Sequence, residues 1–120
     1  MIKTFFDLDV YSLGNEYAMK IFRLTKTFPK SETYSLTSQV VDSSRSICAN
    51  IAERWGRRVY EGEFKKFLVY SMGSLQETKS WLQFALQCEY INTEDYAQLS
   101  EEADVIGSNL FKLHQNWKSQ

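Results

Sequence analysis

The chain has few of the residues that interrupt a helix. Its 120 residues include a single proline, Pro29, and five glycines. Proline removes a backbone donor and clashes with the preceding helical turn, and glycine loses backbone entropy when a helix fixes it. So few breaking residues over this length favour long helices over a β fold with many turns.

Long apolar runs and cysteines are also scarce. No stretch approaches the roughly 20 apolar residues that a membrane-spanning helix needs, and residues 1–7 lack the apolar run of a signal peptide. Cys48 and Cys88 are the only cysteines. These absences predict a cytoplasmic protein without a membrane contact, in which both thiols are reduced.

The chain carries no large excess of charge of either sign. Its 14 Lys and Arg against 15 Asp and Glu give a net charge of −1, which argues against a strongly basic nucleic-acid-binding molecule. The charges are unevenly placed, because residues 1–72 carry 11 basic and 8 acidic groups whereas residues 73–120 carry 3 and 7.

The residues that are abundant point to a helical core. Apolar residues make up 43% of the chain, and its length fits one domain, residues 1–120. Apolar positions recur at helical spacing over about 8–28, 36–56, 60–88 and 92–117. Short loops between long helices favour antiparallel neighbours. The predicted fold class is therefore all-α, an antiparallel up-down-up-down four-helix bundle.

The last segment shows the clearest spacing. Its apolar residues repeat in steps of three and four, as in a helix that packs lengthwise on other helices. These residues are Tyr96, Leu99, Ala103, Ile106, Leu110, Leu113 and Trp117.

The third segment has two apolar seams on adjoining faces. The first is Phe64, Leu68, Ser71, Leu75, Thr78, Leu82 and Ala85. The second is Phe67, Ser74, Trp81, Phe84 and Cys88. Two apolar faces predict that this helix buries more than one neighbour. The second neighbour is either another copy of the chain or another helix of the same copy.

Residue combinations that carry catalysis or hold a metal are missing. His114 is the only histidine and has no His or Cys three or four residues away, and the cysteines lack the paired spacing of a zinc site. No Glu-x-x-His motif, nucleophile elbow or phosphate-binding glycine loop occurs. The sequence therefore predicts a protein that is not an enzyme. It predicts no catalytic residue, no bound metal and no cofactor.

A basic cluster surrounds the predicted turn between the second and third helices. Arginines interleaved with aromatic residues can hold phosphates and stack bases. Three glutamates lie among them, so an ordinary solvated turn of mixed charge is the other interpretation. The candidate nucleic-acid-binding residues are Arg45, Arg54, Arg57, Arg58, Lys65 and Lys66.

Several linked motifs resemble one family. Residues 6–11 read Phe-Asp-Leu-Asp-Val-Tyr, residues 43–53 read Ser-Ser-Arg-Ser-Ile-Cys-Ala-Asn-Ile-Ala-Glu and residues 73–77 read Gly-Ser-Leu-Gln-Glu. Residues 28–40, from Phe28-Pro29 to Gln39-Val40, belong to the same pattern. The chain thus resembles the four-helix-bundle proteins encoded in intervening sequences of large-subunit (23S) ribosomal RNA genes.

The resemblance implies an antiparallel bundle that assembles into a ring, a homopentamer, with no known catalysis. A distant relative implied by the same resemblance, the accessory protein of diversity-generating retroelements, is a more basic pentamer that binds nucleic acid and the reverse transcriptase. This chain departs from the pattern of the family that it resembles at Arg54, where glycine is usual, which adds a positive charge at the turn.

Polar residues of the motifs suggest a hydrogen-bond network near the second turn. Asn50, Glu53, Arg57 and Glu77 are its expected members, because buried polar groups are costly unless paired; the alternative is that they face water. Phe28 and Tyr34 are expected to hold the first loop against the bundle.

Together these observations predict a non-enzymatic, homo-oligomeric assembly or adaptor protein whose partners are copies of itself. RNA or DNA binding through the basic cluster is the alternative function. Another protein is a further candidate partner.

Overall fold

The structure, a computed structural model, describes residues 2–118. Within this range it contains four α-helices and no strand. The helices are α1 (Asp9–Thr25), α2 (Ser38–Arg54), α3 (Glu61–Gln87) and α4 (Thr93–Asn116). The all-helical prediction is confirmed, with helix bounds within three residues of those expected from the sequence.

Local hydrogen bonds mark the start of α4 and the end of α1. Asn92 caps α4, since its Oδ1 accepts from the backbone nitrogen of Asp95 at 2.7 Å. α1 ends at Thr25, three residues earlier than the spacing predicted. Thr25 and Thr27 each donate a side-chain hydroxyl to the carbonyl three residues earlier, and such bonds compete with continuation of the helix before Pro29.

The segment between α1 and α2 departs from the expected pattern. Residues Thr33–Thr37 form a wide turn in which Ser35 has non-helical backbone angles, so the regular helix starts at Ser38 rather than at Leu36. Phe28 is buried as expected, and its ring lies 5.4 Å from that of Tyr90. Tyr34, however, is 95% exposed. The expectation that it holds the loop was wrong, because Leu36 fills the core there instead.

Hydrogen bonds and close approaches of small residues join neighbouring helices. Cys48 of α2 donates its thiol to the carbonyl of Tyr11 in α1, and Ser71 of α3 donates to the carbonyl of Ile47 at 2.8 Å. A Cβ added at Gly107 of α4 would lie 3.4 Å from a methyl of Leu75. Gly107 therefore lies at a close contact between α3 and α4.

The core contains the first seam of α3 in full. Phe64, Leu68, Ser71, Leu75, Thr78, Leu82 and Ala85 are all buried. From α4, Leu99, Ala103, Ile106, Leu110 and Trp117 are buried, whereas Tyr96 and Leu113 are half-buried at the margin. Both seam predictions therefore locate the core.

An aromatic cluster closes the end of the bundle where α2 passes into α3. The ring of Trp117 lies 4.5 Å from that of Phe64 and 6.0 Å from that of Trp55. The indole nitrogen of Trp117 donates to the carbonyl of Arg58 at 3.3 Å. The cluster thus anchors the turn that carries the basic residues to the core.

Candidate interaction surfaces

The second seam of α3 is only partly covered by the other helices of the described chain. Asn50 of α2 lies 3.4 Å from the Ser74 hydroxyl, and the Arg54 guanidinium lies 4.5 Å from the centre of the Phe67 ring. With Tyr70 and Glu77, which share its spacing of three and four, the seam forms a continuous line along the outside of α3, here called the outer stripe. Its members are Phe67, Tyr70, Ser74, Glu77, Trp81, Phe84 and Cys88. All are half-buried or exposed, so the stripe remains accessible in a single copy.

Two pairs of neighbouring aromatic rings lie along the outer stripe. The rings of Phe67 and Tyr70 lie 5.0 Å apart, and those of Trp81 and Phe84 lie 5.9 Å apart. The Trp81 indole donates to a Glu77 carboxylate oxygen at 3.1 Å. Tyr70 is 45% and Phe84 50% exposed. Exposed aromatic rings in line along one helix are typical of interaction surfaces.

Beside its Trp81–Phe84 end, the stripe borders a groove of about 540 Å³ between α3 and the start of α2. Tyr34, Leu36 and Gln39 line the opposite wall. No spacing of residues indicates this groove, because the irregular turn at Thr33–Thr37 creates it.

Five of the six candidate basic residues lie together at the turn between α2 and α3. This basic turn consists of Arg54, Arg57, Arg58, Lys65 and Lys66. Arg45 is not part of it, since nine residues of helix, about 14 Å, separate it from Arg54. Its guanidinium lies 5.2 Å from the Phe22 ring of α1 instead.

Carboxylates neutralise part of the basic turn. The Arg57 Nε lies 2.9 Å from an oxygen of Glu63, which also lies 3.9 Å from the Arg54 Nε. Lys65 lies 3.8 Å from Glu61. These ion pairs are partly exposed and individually weak, but they lower the positive potential that a nucleic acid would meet.

Aromatic rings hold the remaining cations of the turn. Arg58 donates to the carbonyl of Trp55 at 3.0 Å and lies 4.4 Å from its ring centre. The Lys66 ammonium lies 5.9 Å from the ring centre of Tyr70. Neither has a carboxylate partner among residues 2–118, so these two cations remain available to an anionic ligand.

The four expected members of the polar network do not form one network within the described copy. Asn50 donates to the carbonyl of Ser46 at 2.8 Å and lies 3.4 Å from the Ser74 hydroxyl. Glu77 lies about 4.5 Å further along α3 than Ser74 and accepts from Trp81.

The other two members also lie apart. Arg57 pairs with Glu63. Glu53 is exposed and makes no hydrogen bond with any residue that the structure describes. All four nevertheless lie on or beside the surface formed by the outer stripe and the basic turn.

The thiols and His114 offer no reactive arrangement. Both cysteines are free, and burial raises the pKa of the Cys48 thiol to about 12. Within residues 2–118, no group of three His, Cys, Asp or Glu side chains is close enough to hold a metal ion. None of the helices in the same range has the length and apolar character needed to cross a membrane.

The fold and the two surfaces described above define a class of protein, a four-helix bundle with an aromatic stripe and a turn of mixed charge on its surface. The particular family follows from a sequence comparison, because the profile of the 23S rRNA-intervening sequence proteins matches residues 6–112. The chain belongs to this family, as its motifs predicted.

A solved structure supports the fold. The chain resembles the crystal structure of a protein with unknown function from the S23 ribosomal protein family of Bacteroides thetaiotaomicron VPI-5482, with a TM-score of 0.74 and 24% sequence identity. The similarity covers 89% of this chain and 96% of that one. No curated protein matches the sequence.

Proposed function

We propose that the chain is a non-enzymatic protein of the cytoplasm that assembles with copies of itself and acts as an assembly or adaptor module. The outer stripe is the observation that carries this proposal. A stable helix with one face in the core and a second aromatic face left open has surface to bury against another copy.

The shape of the assembly follows from the family resemblance. A closed ring, the homopentamer that the resemblance implies, is the proposed form. The proposal also includes an antiparallel up-down-up-down order of the helices within each copy. The contact of Tyr11, early in α1, with Cys48, late in α2, supports it. So do the contacts of α2 with α3, because Ile47 contacts Ser71 whereas Ser43, earlier in α2, contacts Thr78, later in α3. The relationship to the retroelement accessory protein stays a prediction.

Replacement of one stripe residue by a charged one tests the proposal. Phe84→Glu places a carboxylate within the proposed contact, at an aromatic position of the outer stripe, and is expected to lower the assembly to a monomer. Phe111→Glu is the matched control, since Phe111 is 57% exposed on α4 and lies away from the stripe. Sedimentation velocity of both variants measures the outcome. Equal sedimentation of the two variants as large assemblies would reject the stripe as the contact.

The alternative function is RNA or DNA binding through the basic turn, with Arg45 as an isolated cation. Lys66 beside the exposed Tyr70 ring, and Arg58, which has no carboxylate partner within residues 2–118, favour it. The ion pairs of Glu61 and Glu63 weigh against it. Binding through phosphates weakens steeply as salt rises. Titration of labelled RNA at two salt concentrations decides, because absent or salt-insensitive binding rejects this function.

A further inference from the structure

A second surface feature lies on the opposite side of the bundle from the outer stripe, in the cleft between α1 and α4. This α1–α4 cleft has a volume of about 250 Å³, less than pockets for drug-sized ligands. Leu13, Val105 and Ile106 form its apolar wall. The cleft is also lined by three glutamates, Glu16, Glu101 and Glu102.

Two buried polar atoms at this cleft have no hydrogen-bond partner in the described chain. They are the hydroxyl of Tyr17, a lining residue that is 1% exposed, and the Oε2 atom of Glu102. A buried polar group without a partner costs free energy that a suitable ligand recovers. Burial, together with the Glu102 carboxylate, raises the pKa of the Tyr17 hydroxyl above its ordinary value of 10, so at neutral pH it is a protonated phenol.

The charges at the cleft select the sign of the ligand. Glu16 and Glu101 have no cationic partner within residues 2–118, and only the Lys20 ammonium binds Glu102, at the other carboxylate oxygen, Oε1. A second cation is therefore attracted and an anion repelled. Lys20 also demonstrates that Glu102 accepts an alkylammonium group.

The hydrogen-bond acceptors at the cleft indicate which kind of cation fits it. A primary ammonium carries three N–H donors, which match the Glu102 Oε2, the Tyr17 hydroxyl oxygen and a carboxylate of Glu16 or Glu101. A short alkyl chain attached to it packs on Leu13 and Val105. We propose that the α1–α4 cleft is a binding site for a primary alkylammonium ion, from a free amine or from a lysine side chain of a partner.

Calorimetric titration of the full chain with n-butylamine at neutral pH tests the site. The expected dissociation constant is on the order of 1 mM, since the ligand is small and the site partly open. Butyltrimethylammonium has the same charge but no N–H donor, so it is expected to bind at least about tenfold more weakly. Equal binding of both cations, or no saturable binding of butylamine, would overturn the proposal.

Two variants connect binding to the unpartnered atoms. Tyr17→Phe removes the buried hydroxyl and is expected to maintain or raise the melting temperature of the free protein while weakening butylamine binding. Glu102→Gln is expected to weaken binding about tenfold. Glu94→Gln, at an exposed glutamate of α4 outside the cleft, is the control. If Tyr17→Phe and Glu102→Gln both bind butylamine as strongly as the control and the unchanged chain do, the amine is bound elsewhere and the proposal fails.

The mass of the assembly, measured with and without butylamine, distinguishes the possible sources of the ammonium group. If saturating butylamine dissociates the assembly, the natural occupant is a lysine of a neighbouring copy; if binding leaves the mass unchanged, it is a free amine or a lysine of another protein. Both outcomes support the site. The site stands independently of self-assembly, because its binding is also measurable in the Phe84→Glu variant.

Discussion

At the scale of single residues, small side chains determine how closely the helices approach. Gly14 faces α2 at the point where Cys48 and Ile47 pack, and a Cβ at Gly14 would lie 2.9 Å from the Cys48 sulfur. Ser43 and Thr78 also lie between helices, where their hydroxyl oxygens are 2.8 Å apart. Close approach of the backbones therefore depends on residues that propensity alone does not favour in a helix.

Gly14→Ala tests this close contact. Alanine normally stabilises a helix relative to glycine by about 1 kcal/mol, but the clash with Cys48 is expected to reverse the sign and cost about 1–3 kcal/mol. Gly73→Ala is the matched control within α3, because nothing lies within 4 Å of the added methyl. Urea unfolding at one protein concentration measures both. A Gly14→Ala variant as stable as Gly73→Ala would show that the helices are further apart.

Neighbouring positions on α4 test the assignment of its buried seam. Leu110 is 0% and Phe111 57% exposed. Leu110→Ala is expected to lower the free energy of unfolding by about 2–5 kcal/mol, because it leaves a cavity, and Phe111→Ala by less than about 1 kcal/mol. Losses of equal size in denaturant unfolding would contradict the seam.

At the scale of elements, one hydrogen bond joins the two loops at the end of the bundle opposite the basic turn. The Tyr90 hydroxyl, after α3, donates to a carboxylate oxygen of Glu32, before α2, at 2.8 Å. Glu32 also accepts from Ser35 and from the backbone of Leu36. The Ser35 and Tyr90 hydrogen bonds hold the pKa of Glu32 below its ordinary value of 4.5.

This lowered pKa gives the contact a defined pH dependence. The contribution of ionised Glu32 is fully present above pH 4.5 and is lost as the pH falls through the folded-state pKa. Glu32→Gln is therefore expected to be less stable than the unchanged chain at pH 7, with a difference that shrinks in acid. Thermal melts between neutral and acid pH measure it, with Glu53→Gln as control. A difference that stays constant to low pH would contradict the role of the carboxylate.

The sequence predicted elements better than it predicted contacts between charged groups. Spacing alone identified every buried residue of the first α3 seam, because burial on a regular helix follows its period. It did not identify Glu63 as the partner of Arg54 and Arg57, since that contact depends on the path of the turn. The network expected around Asn50 failed for the same reason, because the alignment of α2 and α3 places Ser74, not Glu77, opposite Asn50.

At the scale of the whole molecule, two faces of the bundle have different chemistry. One side has the aromatic outer stripe beside a basic turn, and the other has the acidic α1–α4 cleft. The charges follow the chain in part. The basic turn lies in residues 1–72, which carry a net positive charge, and Glu101 and Glu102 lie in residues 73–120, which carry a net negative charge, whereas Glu16 of the cleft comes from the first part. A molecule with unlike sides is suited to head-to-tail contacts between copies, which close into a ring when the rotation permits.

Self-assembly is the central claim, and light scattering coupled to size exclusion tests it most directly. One copy has a mass of 14.1 kDa. At tens of micromolar, the unchanged chain is expected to elute with a mass that is a multiple of this value, five copies for the proposed ring. A single species with the mass of one copy at that concentration would contradict the account.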